Sequence, residues 1–206
     1  MSRKTAPEFG ASRLLIVGTG AVNAMHLPFW TNWLRVNYPE LQVRIVLTPS
    51  AERFITRESL TLLTQEAALS DRWPTETGPD GALHVRLVEW AETIAVFPAC
   101  LNFISRLSLG LADTPALLAL QCSEAPIGIA PSLPPGAEAN PVFQANLRRL
   151  AERPNVTVAP TRPSRSVTTG RRDAAGAAPL WDLLTLIEER RQVLKDGATS
   201  SAEGRA

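Results

Sequence analysis

Short apolar runs alternate along this chain with longer segments of helical period. Residues 13–17 (RLLIV), 42–47 (QVRIVL), 93–97 (TIAVF), 126–130 (PIGIA) and 155–158 (NVTV) read as strands, most of them apolar throughout as in a sheet covered on both faces. Residues 83–87 (LHVRL) alternate apolar and polar, which predicts a short extended run or an edge strand. Helices are expected from about residue 27 to 36, over 58–68, from Asn102 through Leu111, from Asn140-Pro141 onward, and over 180–194. Pro28 fits best in a first turn, so residues 21–26 are expected to be partly irregular. Residues 71–81 and 131–136 are rich in Pro and Gly and predict loops. Strands alternating with helices define an α/β class with a mostly parallel sheet.

The turns after the strands hold the candidate chemistry. The first strand ends in Gly18-Thr19-Gly20, a glycine turn that stops short of the GxGxxG dinucleotide fingerprint because residue 23 is Asn. After residue 47, Thr48-Pro49-Ser50 is a hydroxyl-rich turn expected to run straight into a helix carrying Phe54 and Ile55, a position suited to an anionic phosphate. Pro98-Ala99-Cys100 follows the strand at 93–97, and Asn102 is placed to cap the next helix. Such turns meet at one crevice in open α/β sheets.

Composition narrows the class of partner. A formal net charge of +1 with 45% hydrophobic and 20% charged residues gives no reason to expect nucleic acid. No apolar run approaches the ~20 residues that cross a bilayer, and no apolar signal core precedes Arg13. Cys100 and Cys122 have no metal-ligand spacing and read as reduced thiols of a cytoplasmic protein, with no metal expected. Trp30, Trp33, Leu34 and Asn37 share a helix face, which predicts core or subunit contact. Residues 161–172 carry Arg162, Arg165, Arg171 and Arg172 with no acidic residue, and read as a hairpin or flap. The expected organisation is an N-terminal tail (1–12), one domain (13–195) and a disordered tail (196–206).

The motifs resemble those of the homo-oligomeric flavin-containing cysteine decarboxylases, which include the lanthipeptide peptidyl-cysteine decarboxylases and phosphopantothenoylcysteine decarboxylase. Pro98, Ala99, Asn102, Gly110 and Asp113 are similar to that family's PASANTxxKIAxGxxD segment, and Thr48, Pro49, Ser50, Phe54 and Ile55 to its SPSxxxFI. Asn140-Pro141, Gln144 and Asn146 resemble NPxxQxN, and Thr168-Thr169-Gly170-Arg171 resembles the SSGR of its substrate clamp. The likeness spans residues 13–172 in matching order and implies a flavodoxin-like (Rossmann-type) three-layer fold. It also implies a bound flavin, FMN or FAD, held by Gly18, Thr19, Gly20, Thr48, Ser50, Phe54, Pro98, Ala99, Cys100 and Asn102.

By the same resemblance His84 is the catalytic base, and Pro131, Ser132, Leu133, Thr168, Thr169, Gly170 and Arg171 contact the substrate. That substrate is a precursor peptide with a C-terminal cysteine. Oxidation at its Cβ gives a thioaldehyde, loss of CO₂ leaves an enethiol, and the enethiol goes on to aminovinyl-cysteine formation. A neutral imidazole suits the thiol proton, since its ordinary pKa is ~6.5. Without the resemblance, His84 reads first as a structural histidine at a strand edge; His26 reads as structural or cofactor-adjacent. Family members assemble as trimers or dodecamers, so a homo-oligomer is expected.

One departure stands out. The family's PxMNxxMW signature, whose Asn helps bind the substrate carboxylate, falls at residues 131–138, which read PSLPPGAE. Pro134 occupies the Asn position and has no donor. Neighbouring N–H groups or an arginine of the 162–172 segment could substitute, or the carboxylate is not bound. The alternatives weighed are a phosphopantothenoylcysteine decarboxylase of coenzyme A synthesis, a flavin prenyltransferase of the same fold, and a non-catalytic flavin-binding regulatory subunit.

Overall fold

The computed structural model describes residues 6–75 and 81–203. Strands β1 (Arg13–Gly18), β2 (Gln42–Leu47), β3 (Leu69–Ser70), β4 (Thr93–Cys100), β5 (Ile127–Ser132) and β6 (Val156–Val158) form one sheet in the order β3-β2-β1-β4-β5-β6. Every pairing in it is parallel. Setting aside the two-residue edge strand β3, the remaining strands follow the flavodoxin-like order 2-1-3-4-5. A separate antiparallel hairpin joins β7 (Arg162–Ser164) and β8 (Ala174–Gly176).

Alternation along the strands sends successive side chains to opposite faces, and both faces are covered. Leu15, Val17, Val46, Val96 and Ile129 pack beneath α3 (Leu83–Trp90), α4 (Leu101–Ser108), α5 (Pro115–Cys122) and α6 (Pro141–Ala151). Leu14, Ile16, Ile45, Leu47 and Ala95 pack against α1 (Leu27–Asn37), α2 (Arg57–Thr64) and α7 (Leu180–Glu203). A Cβ on Gly128 would stand 2.5 Å from Ile187 Cγ1, so glycine there lets α7 lie directly on β5. Trp30 and Trp33 meet Trp181 edge-on at 5.0 and 5.9 Å between ring centres, and Trp30 also meets Phe97 at 5.9 Å. The aromatic helix face is therefore packed within the chain.

Several expected elements take a different form. Residues 83–90 are helical: Leu83 and Leu87 are buried four apart while Val85 is exposed, so the helical period governs a stretch that also scans as alternation. The helix expected at 58–68 ends at Thr64, closed by a left-handed Gln65, and β3 follows it. The turn after β2 makes only one 3-10 turn, Ala51–Arg53, before Thr56 caps α2. The apolar segment at 118–122 belongs to α5, opened by the Thr114 cap and Pro115. Pro131 and Ser132, placed in a loop by their prolines, instead finish β5 opposite Ala99 and Cys100. Beyond Ile129 the paired length of β6 is over, and proline is tolerated at such an open edge.

The N-terminal segment is tied down from residue 7. The Tyr38 hydroxyl donates to the Pro7 carbonyl (2.6 Å), Glu188 accepts from the Gly10 N–H (3.1 Å) and Glu92 from the Ser12 N–H (2.8 Å). At the other end α7 continues to Glu203, through the stretch expected as a disordered tail. Gly197 is tolerated inside a helix at a cost of only about 1 kcal/mol, so it does not stop the turn. Of the loop expected at 71–81, residues 76–80 lie outside the described residues.

Candidate cofactor and substrate site

The strand order reverses between β1 and β4, and the loops leaving these two strands are locked together there. The Thr19 hydroxyl donates to the Pro98 carbonyl (2.7 Å) and accepts from the Cys100 N–H (2.6 Å), while the Thr19 N–H also reaches Pro98 O (3.2 Å). Thr19 is fully buried, so these bonds work where water does not compete. The β2 loop closes from the other side. The Thr48 N–H donates to Gly18 O (2.9 Å), and a Cβ on Gly20 would fall 2.4 Å from the Ser50 Cβ. Gly20 is glycine because the two loops touch at that point.

These loops frame a cavity of about 700 Å³ at the carboxyl end of the sheet. Gly20, Phe54, Cys100, Asn102, Ser132, Leu133 and Thr168, all named from sequence, line it. Gly18, Thr19, Thr48, Pro98, Ala99 and Pro131 do not; they form the buried or half-buried frame behind the lining. Ser50 abuts Gly20 outside the lining, and Thr169, Gly170 and Arg171, between β7 and β8, are not part of it. Leu101, the 3-10 turn with Asn23 and His26, and the hairpin residues Ser164 to Val167 with Ala174 to Gly176 complete the wall. The sequence marks that turn only as irregular, with His26 structural or cofactor-adjacent, and points to the hairpin by the arginines of 161–172 and the clamp-like Thr168-Thr169-Gly170-Arg171.

Asn102 does not cap its helix. β4 passes into α4 without a loop, so the cap position falls on Cys100, and no side chain caps the helix. The first-turn N–H groups of α4 are thus left to a ligand at the positive end of the helix dipole. Open N–H donors beside interlocked glycine and hydroxyl loops, with Phe54, Leu101 and Leu133 as apolar wall, fit a flat ring system bearing an anionic tail.

The other motif residues have structural partners. Asn140 Oδ1 accepts from the Val142 N–H (2.8 Å) as the cap of α6, Gln144 Nε2 donates to Glu138 O (2.7 Å), and Asn146 Nδ2 donates to Ser105 Oγ (3.2 Å). Gly110 takes a left-handed turn (φ 77°) after α4, and Asp113 pairs with Arg106, whose guanidinium holds that carboxyl below the usual range.

His84 lies outside the lining of the cavity. It occupies the first turn of α3, the helix that follows the carboxyl end of β3, so it stands at the same end of the sheet as the cavity. Trp73 meets its ring edge-on at 5.8 Å, and the Trp73 indole N–H donates to Asp113 O (2.8 Å). The half-buried imidazole has no partner for Nδ1 among the described residues. Nearby, burial pushes the Asp71 carboxyl above its ordinary range, against the pull of the Ala116 N–H, the Thr114 hydroxyl and the Arg106 charge. Asp71 Oδ1 accepts that Ala116 N–H (2.8 Å) at the start of α5.

No group of three or more His, Cys, Asp or Glu side chains among the described residues could hold a metal ion. No described helix is long and apolar enough to cross a membrane.

A switch-point cavity with interlocked phosphate-side loops defines a doubly wound protein of the cofactor-binding class. The family model described as Flavoprotein matches residues 3–192, and the chain belongs to that family. It is 36% identical over 160 residues to cypemycin cysteine dehydrogenase (decarboxylating) of a Streptomyces species, spanning 74% of this chain and 78% of that relative. Among solved structures, the cypemycin decarboxylase CypD superposes with a TM-score of 0.74 at 31% identity, covering 91% of this chain and 97% of the other. The FMN-dependent cysteine decarboxylase SpaF shares the fold, with a TM-score of 0.71 at 24% identity over 85% of this chain and 97% of its own.

Proposed function

We propose that this protein is a flavin-dependent oxidative decarboxylase acting on the C-terminal cysteine of a ribosomally made precursor peptide. The observation that carries the reading is the likeness to the cypemycin enzyme across 74% of this chain and 78% of that one, with the switch-point cavity lying inside the matched fold. Gly20, with Ser50 behind it, and the open first turn of α4 would hold the anionic part of a flavin bound in that cavity. A bound flavin supplies hydride acceptance from the cysteine Cβ, the oxidation that lets the carboxylate leave as CO₂.

The chain's own residues do the rest. Thr19 fixes the bend at residues 98–100, whose Cys100 lines the cavity that would take the flavin. The β7–β8 hairpin covers the terminal residues of the peptide and limits water. His84 takes the thiol proton, and because it lies outside its own cavity it is supplied across a subunit interface of a homo-oligomer, a trimer or a dodecamer built of trimers. Reduced Cys100 and Cys122 fit a cytoplasmic setting, where the precursor peptide is made.

Incubation with a short synthetic peptide ending in cysteine tests the reading. The expected product is lighter by about 46 mass units, CO₂ plus two hydrogens. An unchanged peptide beside a bound yellow cofactor would favour a non-catalytic flavin-binding subunit.

A further inference from the structure

A peptide that ends in cysteine brings a carboxylate into a cavity whose floor is largely apolar, and the hydration it loses there must be replaced by donors. The Pro131–Pro135 stretch along this cavity is poor in backbone donors. Pro131, Pro134 and Pro135 have no N–H, and the Leu133 N–H is already bonded to Ala175 O at 2.7 Å. The return bond, Ala175 N–H to Leu133 O at 3.3 Å, completes a bridge that stitches the hairpin onto this loop. One strand over, Ser164 pairs with Ala174, and Arg165 follows directly, lining the same cavity as Leu133 and Pro134.

Arg165 is the only Lys or Arg among the described residues lining the cavity, and no Asp or Glu lines it. The other hairpin arginines are committed or absent from the wall. Arg162 pairs with Asp182 at 2.9 Å, Arg171 pairs with Asp173, and Arg172 does not line the cavity. Arg165 donates from Nε to the Gly170 carbonyl (2.9 Å), a contact that orients its guanidinium while occupying one donor. The rest of the planar fork keeps its N–H groups for an acceptor and can grip two carboxylate oxygens at once.

We infer that Arg165 binds the carboxylate of the substrate's terminal residue, taking the place of a donor that Pro134 cannot provide. The inference rests on the peptide-decarboxylase reading above and makes Arg165 a specificity-determining residue of that site. Neighbouring Ser132, Ser164 and Ser166 hydroxyls also line the wall, but each is neutral and offers one proton. A guanidinium there selects a free C-terminus over an internal cysteine.

Two assays on the purified flavin-loaded protein test it. In the first, turnover of a cysteine-ended peptide is compared in wild type, Arg165→Gln and Arg165→Lys. The expected result is a KM raised roughly tenfold or more in Arg165→Gln with a much smaller change in kcat, and an intermediate KM in Arg165→Lys. In the second, binding of an unreactive serine-ended peptide is titrated calorimetrically as the free acid and as the C-terminal amide. Wild type should prefer the acid, and Arg165→Gln should bind both alike. Flavin content, read from visible absorbance, should be unchanged in both variants.

An unaltered KM with an unaltered preference for the acid would overturn the inference. So would loss of flavin from Arg165→Gln, which would assign the guanidinium to the cofactor's phosphate. If wild type converts no peptide, the functional reading falls, and the acid-against-amide titration still decides the role of Arg165.

Discussion

The Thr19 side chain joins two residues of the opposite loop at once, accepting from the Cys100 N–H at 2.6 Å and donating to the Pro98 carbonyl at 2.7 Å. A single hydroxyl therefore holds the β1 turn and the start of α4 in register, and α4 presents its open first turn to the cavity from there. Thr19→Val keeps the shape and removes both bonds, leaving a half-buried N–H without its partner. The expected loss is about 1–3 kcal/mol in denaturant unfolding, with weaker flavin retention on gel filtration.

Gly20 makes a sharper steric prediction. A Cβ there would sit 2.4 Å from the Ser50 Cβ, closer than real atoms approach, so Gly20→Ala must push the two phosphate-side loops apart. The variant should fold and lose flavin affinity by at least about tenfold, which is about 1.4 kcal/mol. Adding Ser50→Gly removes the opposing atom and should restore part of the binding. Dissociation constants from flavin fluorescence quenching measure both effects.

Tyr38 reports on the tie between the N-terminal segment and α1. Burial pushes its phenol up to about 12, and its hydroxyl donates to Pro7 O at 2.6 Å. It is the only tyrosine of the chain, so phenolate absorbance titrates this site alone. The folded pKa lies above the ordinary value of ~10, so the stability gained by keeping the phenol neutral is present below about pH 10 and lost as pH rises through 12. Tyr38→Phe should cost about 0.5–1.5 kcal/mol near neutral pH and abolish the titration.

His84 should separate chemistry from binding. His84→Asn keeps a polar side chain but removes the imidazole and its edge contact with Trp73, so thermal unfolding should fall only slightly while flavin content, set by the cavity that His84 does not line, stays near wild type. Turnover of a cysteine-ended peptide should fall by about 10²–10⁴-fold, the usual worth of a positioned base. A normal rate in this variant would remove His84 from the mechanism.

The strands and the turns after them were legible because buried parallel strands are apolar throughout and end in Gly, Pro or hydroxyl residues. The bounds of β2 and the Asn140-Pro141 start of α6 follow directly from such local signals. The helix over Leu83–Trp90 was not legible, because Leu83, Val85 and Leu87 fit a strand and Leu83 with Leu87 fit a helix equally well. Only the packing of α3 on the sheet decides between them. β3 is two residues long and exists through its pairing with Val46 and Leu47, which no local pattern encodes. The cap of α4 moved from Asn102 to Cys100 because the strand runs on until the helix begins. Within the site, the loops following β1, β2 and β4 were readable by their turn chemistry. The place of Arg165 depends on the Leu133–Ala175 bridge between distant segments, so its sequence showed the charge and concealed its address.

The central claim is that one cavity holds both an oxidising flavin and the terminal cysteine of a peptide. Anaerobic mixing of the purified yellow protein with a cysteine-ended peptide tests it directly, followed by visible absorbance and peptide mass on the same sample. The account predicts that the oxidised-flavin band bleaches in step with a peptide mass loss of about 46 units. Protein that carries and takes up no flavin, or a flavin band and a peptide mass that both stay unchanged, would contradict it.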